Sequence, residues 1–268
     1  MGRAKEIVVK VIPRDLANAF VKKHHYSGKV VQNSQLHFGA FLDGRLHGVL
    51  QYGPSMDKRK IVSLVKDTGW NEFLELNRMV FDDVLPRNSE SFCIGKTLRL
   101  IKKYAPNIKW VVSFADGTQC GDGTIYRASN FVLTGIRKNK TILEFPSGDR
   151  IAAMTVEATP NLAIVKKQSD FLGIEHKYRT RSEWVKLGAR YLPGYQLRYI
   201  YFLDKSFREK LTVSIIPFSK IDELNAGMYK GKQIKQCERH LKKCESQIER
   251  EEKHLETNKN DLQTSWNE

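Results

Sequence analysis

Ser113-Phe-Ala-Asp-Gly-Thr-Gln-Cys-Gly-Asp-Gly-Thr-Ile-Tyr-Arg-Ala-Ser-Asn-Phe131 decides how this chain is read. An apolar run, Trp110 to Ala115, stops at an acid, Asp116. A loop with Gly117, Gly121 and Gly123 follows, and then a short helical segment carries Tyr126, Arg127 and Asn130. Strand, polar strand end, glycine loop and helix in that order place polar groups at the carboxyl end of a strand, where open α/β sheets bind ligands.

Outward from this stretch the chain alternates strand and helix signals. Ile7 to Ile12 is β-branched, and Pro13 then suits the first turn of a helix running through Val21 to His24-His25, with Gly28 as its cap. Residues 36–42 and 46–52 form a hairpin about Asp43-Gly44, a type I′ signal. Phe73 to Phe81 is a strand, Phe92 to Tyr104 a basic amphipathic helix, and Phe131 to Ile136 another strand. Residues 137–156 read as a basic hairpin turning at Ser147-Gly148-Asp149, and Tyr195 to Leu203 as a final aromatic strand. The fold class is α/β: a mixed, mostly antiparallel, splayed sheet with flanking helices.

The chain has 268 residues and a net charge of +15. From Lys230 onward nine basic residues nearly balance eight acidic ones, so the excess lies in the preceding part. Such an excess favours a polyanionic partner, because cations at phosphates release condensed counterions. Ile234, Cys237, Leu241, Cys244 and Ile248 step by three and four, an apolar stripe on a charged helix. Three segments are therefore expected: a catalytic domain over 1–205, an extension over 206–232 and a charged helical tail over 233–268. The four cysteines are scattered, which fits a reducing cytoplasm, and no run approaches the ~18 apolar residues of a membrane span. A soluble, cytoplasmic protein is expected.

Three segments carry chemistry. His25-Tyr26-Ser27-Gly28-Lys29 pairs an imidazole with a phenol, although a histidine also simply suits a helix end. Glu75-Leu76-Asn77-Arg78 sets an arginine in an apolar strand; regular alternation would put Arg78 on the side of Leu76 and Val80, with Asp116 as its ion-pair partner. Asp116 and Tyr126 flank the glycine loop. In Arg87-Asn88-Ser89-Glu90-Ser91, Ser89 or Ser91 would cap the next helix and leave amides for a pyrophosphate, with Gly95 one turn on. Arg87, Lys96, Arg99, Lys102 and Lys103 form one basic patch; Lys177, Arg179, Arg181, Lys186 and Arg190 form another.

Ile125-Tyr126-Arg127-Ala128-Ser129-Asn130-Phe131 after that strand order resembles the GNAT-type N-acetyltransferase fold, in which an acyl-coenzyme A lies between two splayed strands. Taken together, the His25-Tyr26, Glu75-Leu76-Asn77-Arg78 and Asp116…Tyr126-Arg127 motifs are similar to those of the Mom family over roughly residues 20–205. Members are phage DNA hypermodification proteins that convert adenine to N6-carbamoylmethyladenine and shield DNA from restriction. The resemblance implies a transferase with His25, Tyr26, Arg78, Asp116 and Tyr126 as catalytic residues. It implies an acyl-coenzyme A-like donor at Asn88, Ser89, Ser91 and Gly95, though the loop lacks the acetyltransferases' Gly-x-Gly/Ala run. It implies DNA as partner, met by Lys29, Arg87, Arg127, Arg179 and Arg181. It also raises iron, with His25 and Asp116 as candidate ligands. Alternatives are an N-acyltransferase on a protein or small amine, and a non-catalytic DNA-binding protein on the same scaffold.

Overall fold

The computed structural model describes residues 3–158, 160–229 and 232–233. The charged tail expected over 233–268 lies outside them, except for Gln233. The elements run β1 (Val8–Val11), α1 (Arg14–His24), β2 (Leu36–Leu42), β3 (Arg45–Gly53), α2 (Lys58–Val62), β4 (Phe73–Phe81), α3 (Ser89–Tyr104), β5 (Trp110–Asp116), α4 (Thr124–Ala128) and β6 (Val132–Lys138). Then come β7 (Ile142–Glu144), β8 (Arg150–Ala152), α5 (Ala153–Ala158), α6 (Ala163–Phe171), α7 (Arg181–Lys186), β9 (Arg190–Tyr191) and β10 (Tyr195–Phe202).

Seven strands form one mixed sheet in the order β1-β2-β3-β4-β5-β10-β6, antiparallel at every pairing except β4 with β5. The β2–β3 hairpin turns as its sequence dictates: Asp43 and Gly44 both have positive φ, 49° and 77°. On one face α3 and α4 bury the larger core, with Leu50, Tyr52, Leu76, Ile94, Leu98 and Tyr126 among its members. On the other face α1 covers Val49 and Val80 with Ala17 and Val21, while Phe73, stacked on Trp110 at 4.5 Å, anchors a third cluster.

The parallel pair is what opens the sheet. Strands β4 and β5 are in register only at Phe73–Trp110, Leu74–Val111 and Glu75–Val112. Beyond that point β4 carries a bulge: Gln51 faces Arg78 and Tyr52 faces Leu76, which leaves Asn77 as the extra residue. Asn77 is held by Ser34 Oγ, which donates to its Oδ1 at 3.1 Å, and by its own amide donating to the Pro54 carbonyl at 3.3 Å. A bulge bends its strand and ends local pairing, so β4 leaves β5 and a V-shaped gap forms. The splayed α/β sheet expected from the sequence is present.

The bulge also corrects one expectation. Arg78 does not share a face with Leu76. The extra residue flips the alternation, so Leu76 packs toward α3 while Val80, two residues past Arg78, packs toward α1.

Within the span expected as one catalytic domain, residues 139–194 build a small module with its own sheet, β8-β7-β9. Leu143, Phe145, Ile151, Val156, Val165 and Trp184 form its separate core. The expected hairpin is β7–β8, turning at Gly148 with φ 82°. Helices α5 to α7 were not foreseen. The module leaves β6 and returns at β10, and the Asn139 amide donates to the Gly194 carbonyl at 2.8 Å where its two ends meet.

Candidate active site

At the splay the sheet is open, and groups from both faces meet. From the α1 side come His25 and Tyr26 at the end of α1, Glu75 and Arg78 on β4, and Asp116 at the end of β5. From the α3 side come Ser113 and Tyr126.

His25 ends α1 in extended backbone, and its ring lies 4.2 Å from that of Tyr26. The Ser27 amide donates to His25 Nδ1 at 3.2 Å, with Ser27 Oγ 2.8 Å from the same atom. This arrangement assigns Nδ1 as acceptor and leaves the ring proton on Nε2. Burial, and then the nearby Arg78 guanidinium, lower the imidazole from its ordinary 6.5 to about 4. His25 is therefore neutral at pH 7, not the cationic helix end that its position first suggests.

Tyr26 is 53 % exposed, yet its hydroxyl end is turned inward to the Cys120 thiol. Burial of that end, then Cys120 and Asp116, push the phenol up, against a smaller opposing pull from Arg78. Tyr126 is buried against Tyr199 and Phe131, with ring centroids 5.2 and 5.4 Å away. Its hydroxyl neighbours Ser113, and burial pushes it up to about 12. Ser113 Oγ is itself buried and makes no hydrogen bond of ordinary geometry. Of the two tyrosines, only Tyr26 offers a free ring face to a base; Tyr126 offers a neutral phenol at the floor of the gap.

Arg78 and Asp116 do not pair. Arg78 Nη1 donates to the Asn77 carbonyl at 2.9 Å and Nε to the Lys29 carbonyl at 3.3 Å. Asp116 instead organises its own loop. Its Oδ1 accepts from the Thr118 amide at 2.9 Å and from Asn139 Nδ2 at 2.6 Å, and its Oδ2 from Gln119 Nε2 at 3.2 Å. The flipped register on β4 turns Arg78 toward the loop after α1, which is why its bonds go there.

Two site residues escaped the sequence reading. Glu75, the last β4 residue paired with β5, accepts from Ser55 Oγ, and burial raises its carboxyl despite that bond. Cys120 was counted only as a scattered cysteine. Glu75 carried a signal, an acid at the start of the Glu75-Leu76-Asn77-Arg78 motif; Cys120 carried none. The loop between is fixed by Gly123, at φ 78°, where an added Cβ would lie 2.5 Å from the Tyr199 ring. Tyr199 Oη donates to the Asp122 carbonyl at 2.5 Å beside it.

The helix start expected to meet a pyrophosphate is built differently. Asn88, left-handed at φ 68°, precedes α3, and the Ser89 and Ser91 hydroxyls donate to the Pro86 and Asn88 carbonyls rather than capping amides. The Glu90 and Ser91 amides, in the first turn, have no protein acceptor among the described residues. Amide donors at the start of a long helix beside the exposed Arg87 fit the phosphates of an acyl-coenzyme A-like donor. Gly95 is not sterically required there, since a Cβ would make only an ordinary contact with Arg99. Iron fits poorly. Asp116 is already engaged through both oxygens and His25 through Nδ1, and no group of three or more His, Cys, Asp or Glu gathers among the described residues.

Of the expected nucleic-acid residues, Lys29 and Arg87 are exposed, and Arg127 stacks on Phe218 at 4.6 Å. Arg179 and Arg181, expected to meet DNA, are instead engaged within the inserted module. Arg179 is buried, donates to the Glu175 carbonyl at 2.8 Å and stacks on Trp184; Arg181 pairs with Glu157 at 2.5 Å. The rest of that patch is largely neutralised, Lys177 by Glu175 and Arg190 by Glu144. No helix among the described residues is long and apolar enough to cross a membrane.

The model of the Mom protein family matches residues 6–220. The methylcarbamoylase Mom of Escherichia phage Mu is 33% identical over 216 residues, 79% of this chain and 82% of that protein. Among solved structures, the spermidine/spermine N-acetyltransferase SpeG of Vibrio cholerae aligns over 78% of this chain and 99% of its own, with 8% identity and a TM-score of 0.40. The ribosomal-protein-S18-alanine N-acetyltransferase of Escherichia coli covers 74% and 94%, with 8% identity and a TM-score of 0.39.

Proposed function

We propose, on the premise that this chain belongs to the Mom protein family, that it is a transferase modifying DNA. Its product, on this reading, is an N6-substituted adenine of the carbamoylmethyl type that protects phage DNA from restriction. The observation that carries the reading is the meeting of His25, Tyr26, Arg78 and Tyr126 at one gap in the sheet, on a chain of net charge +15.

Adenine N6 is paired in duplex DNA, so the base must leave the stack to reach any such gap. Tyr26 presents its exposed ring to the extruded base, with the His25 ring tilted against it. Glu75, whose carboxyl is raised by burial, is placed to take a proton, and the neutral Tyr126 phenol to give one. Arg78, which enters no ion pair among the described residues, holds developing negative charge at the mouth. Asp116 is a positioning residue that fixes the Gly117–Gly123 loop. An acyl-coenzyme A-like donor, held at the Glu90 and Ser91 amides, would give N6 an acyl carbon with the thiol as leaving group, and a carbamoylmethyl product would then require rearrangement of that N6-aminoacyl amide to its N6–CH2 isomer.

The test is nucleoside mass spectrometry of DNA from cells expressing the protein. A new adenosine species, absent with Tyr126→Phe, is the expected result. Unmodified DNA together with acylation of a protein or small amine would overturn the proposal in favour of an N-acyltransferase.

A further inference from the structure

We propose that Arg137 and Arg198 form a phosphate-binding pair that grips the backbone of duplex DNA beside the nucleotide entering the gap. This rests on the DNA-modifying reading above and names the surface through which the substrate is held.

The strand registers build the pair. Arg137 on β6 faces Gln196 on β10, and Gln196 faces Asp116 on β5. Residues opposite one another in a sheet share a face, so these three form one row, about 10 Å long over two strand spacings. Arg198 lies two residues beyond Gln196 on the same strand and therefore on the same face. Two arginines thus stand together where the row leading out of the site reaches the last strand of the sheet.

Neither forms an ion pair with a carboxylate among the described residues. Arg137 is exposed and enters no ion pair among the described residues. Arg198 uses one edge of its guanidinium on Thr134, donating from Nε to Oγ1 at 3.0 Å and from Nη2 to the carbonyl at 2.7 Å. Those bonds fix the side chain and leave Nη1 without a protein acceptor among the described residues. Burial, then the charge of Arg137, depress its pKa, as adjacent like charges require.

The contrast with the inserted module makes the pair specific. There the basic residues are largely matched by acids: Arg150 and Arg190 with Glu144, Lys167 with Asp149, Lys177 with Glu175, Arg181 with Glu157. Beside the candidate site, by contrast, two guanidiniums stand together with no ion pair among the described residues. Planar guanidiniums match phosphate oxygens bidentately, and an external polyanion relieves their mutual repulsion.

The test is fluorescence anisotropy of a short labelled duplex titrated with the full chain over a range of salt concentrations. Removing one cation from a phosphate flattens the plot of log affinity against log salt by about 0.9, so Arg137→Gln should lower the slope by about 0.9 and the double variant by about 1.8. Arg198→Gln also removes bonds to Thr134, so the exposed Arg137→Gln decides the matter should the double variant fail to fold. Unchanged slopes in variants that melt like the wild type would overturn the pair while leaving the DNA-modifying reading intact. A wild-type chain that binds no duplex and modifies no adenine would overturn both.

Discussion

The Tyr26 hydroxyl meets the Cys120 thiol across the mouth of the gap, tying the end of α1 to the loop that follows β5. That contact and the neighbouring His25 ring hold the half-exposed tyrosine ring in one place. Cys120→Ala removes the partner and leaves a buried phenol without it, which costs on the order of 1 kcal/mol locally. We expect modified adenosine to fall several-fold in Cys120→Ala and to recover in Cys120→Ser, read by mass spectrometry of digested DNA. Equal activity of the alanine and serine variants would remove the contact from the mechanism.

Asp116 is expected to act through the loop. Asp116→Ala strands the Thr118 amide and the Asn139 side chain, a loss of about 1–3 kcal/mol. A double-mutant cycle with Asn139→Ala should show a coupling of about 0.5–3 kcal/mol in urea melts. Additive effects would mean that the 2.6 Å hydrogen bond does no positioning.

His25 makes stability depend on pH. Its folded pKa, about 4, lies below the ordinary 6.5, so between these values the unfolded chain binds more protons. Stability therefore rises with pH across that window and is lost as pH falls from 6.5 toward 4. His25→Gln should flatten this limb in denaturant melts taken between about pH 4 and 7. An unchanged limb would assign the acid sensitivity to other groups.

Tyr126→Phe separates chemistry from packing. The ring keeps its contacts with Tyr199 and Phe131, so the melting temperature should hold, while loss of the phenol proton should cut turnover about 100-fold or more. Tyr126→Ala, by contrast, should destabilise the fold by about 3–5 kcal/mol.

Arg179→Ala should lower the melting temperature and leave the salt dependence of DNA binding untouched. The side chain is spent on the Glu175 carbonyl and on Trp184, and its removal takes a partner from that carbonyl and the cover from a buried indole ring. A reduced salt slope would return Arg179 to the DNA surface.

Local chemistry made much of this legible in the sequence. Asp43-Gly44 dictated its hairpin, the nine residues of β4 were read to their ends, and the strand–loop–helix order around Asp116 was correct. The Arg78–Asp116 pair failed because β4 and β5 part after Glu75 and Asp116 engages both oxygens with its own loop and Asn139; the extra residue at Asn77, which takes Arg78 off the face of Leu76, has no composition of its own to announce it. Arg179 failed because a basic run says nothing of whether each charge already has an acid or an aromatic ring beside it. Cys120 was unreadable for a similar reason: its partner Tyr26 lies far away in the chain.

The inserted module bears on how the chain folds as well as on what it holds. Strands β6 and β10 are neighbours in the sheet but are separated by residues 139–194, whose ends meet at the Asn139–Gly194 bond. Closing so long an excursion from an unfolded chain costs roughly 3–4 kcal/mol of loop entropy, which falls if the excursion has already condensed. With its own sheet and a core around Trp184, the module can collapse first and bring the two strands together. Weakening that core should therefore slow the refolding of the large sheet, although none of its residues lies within it.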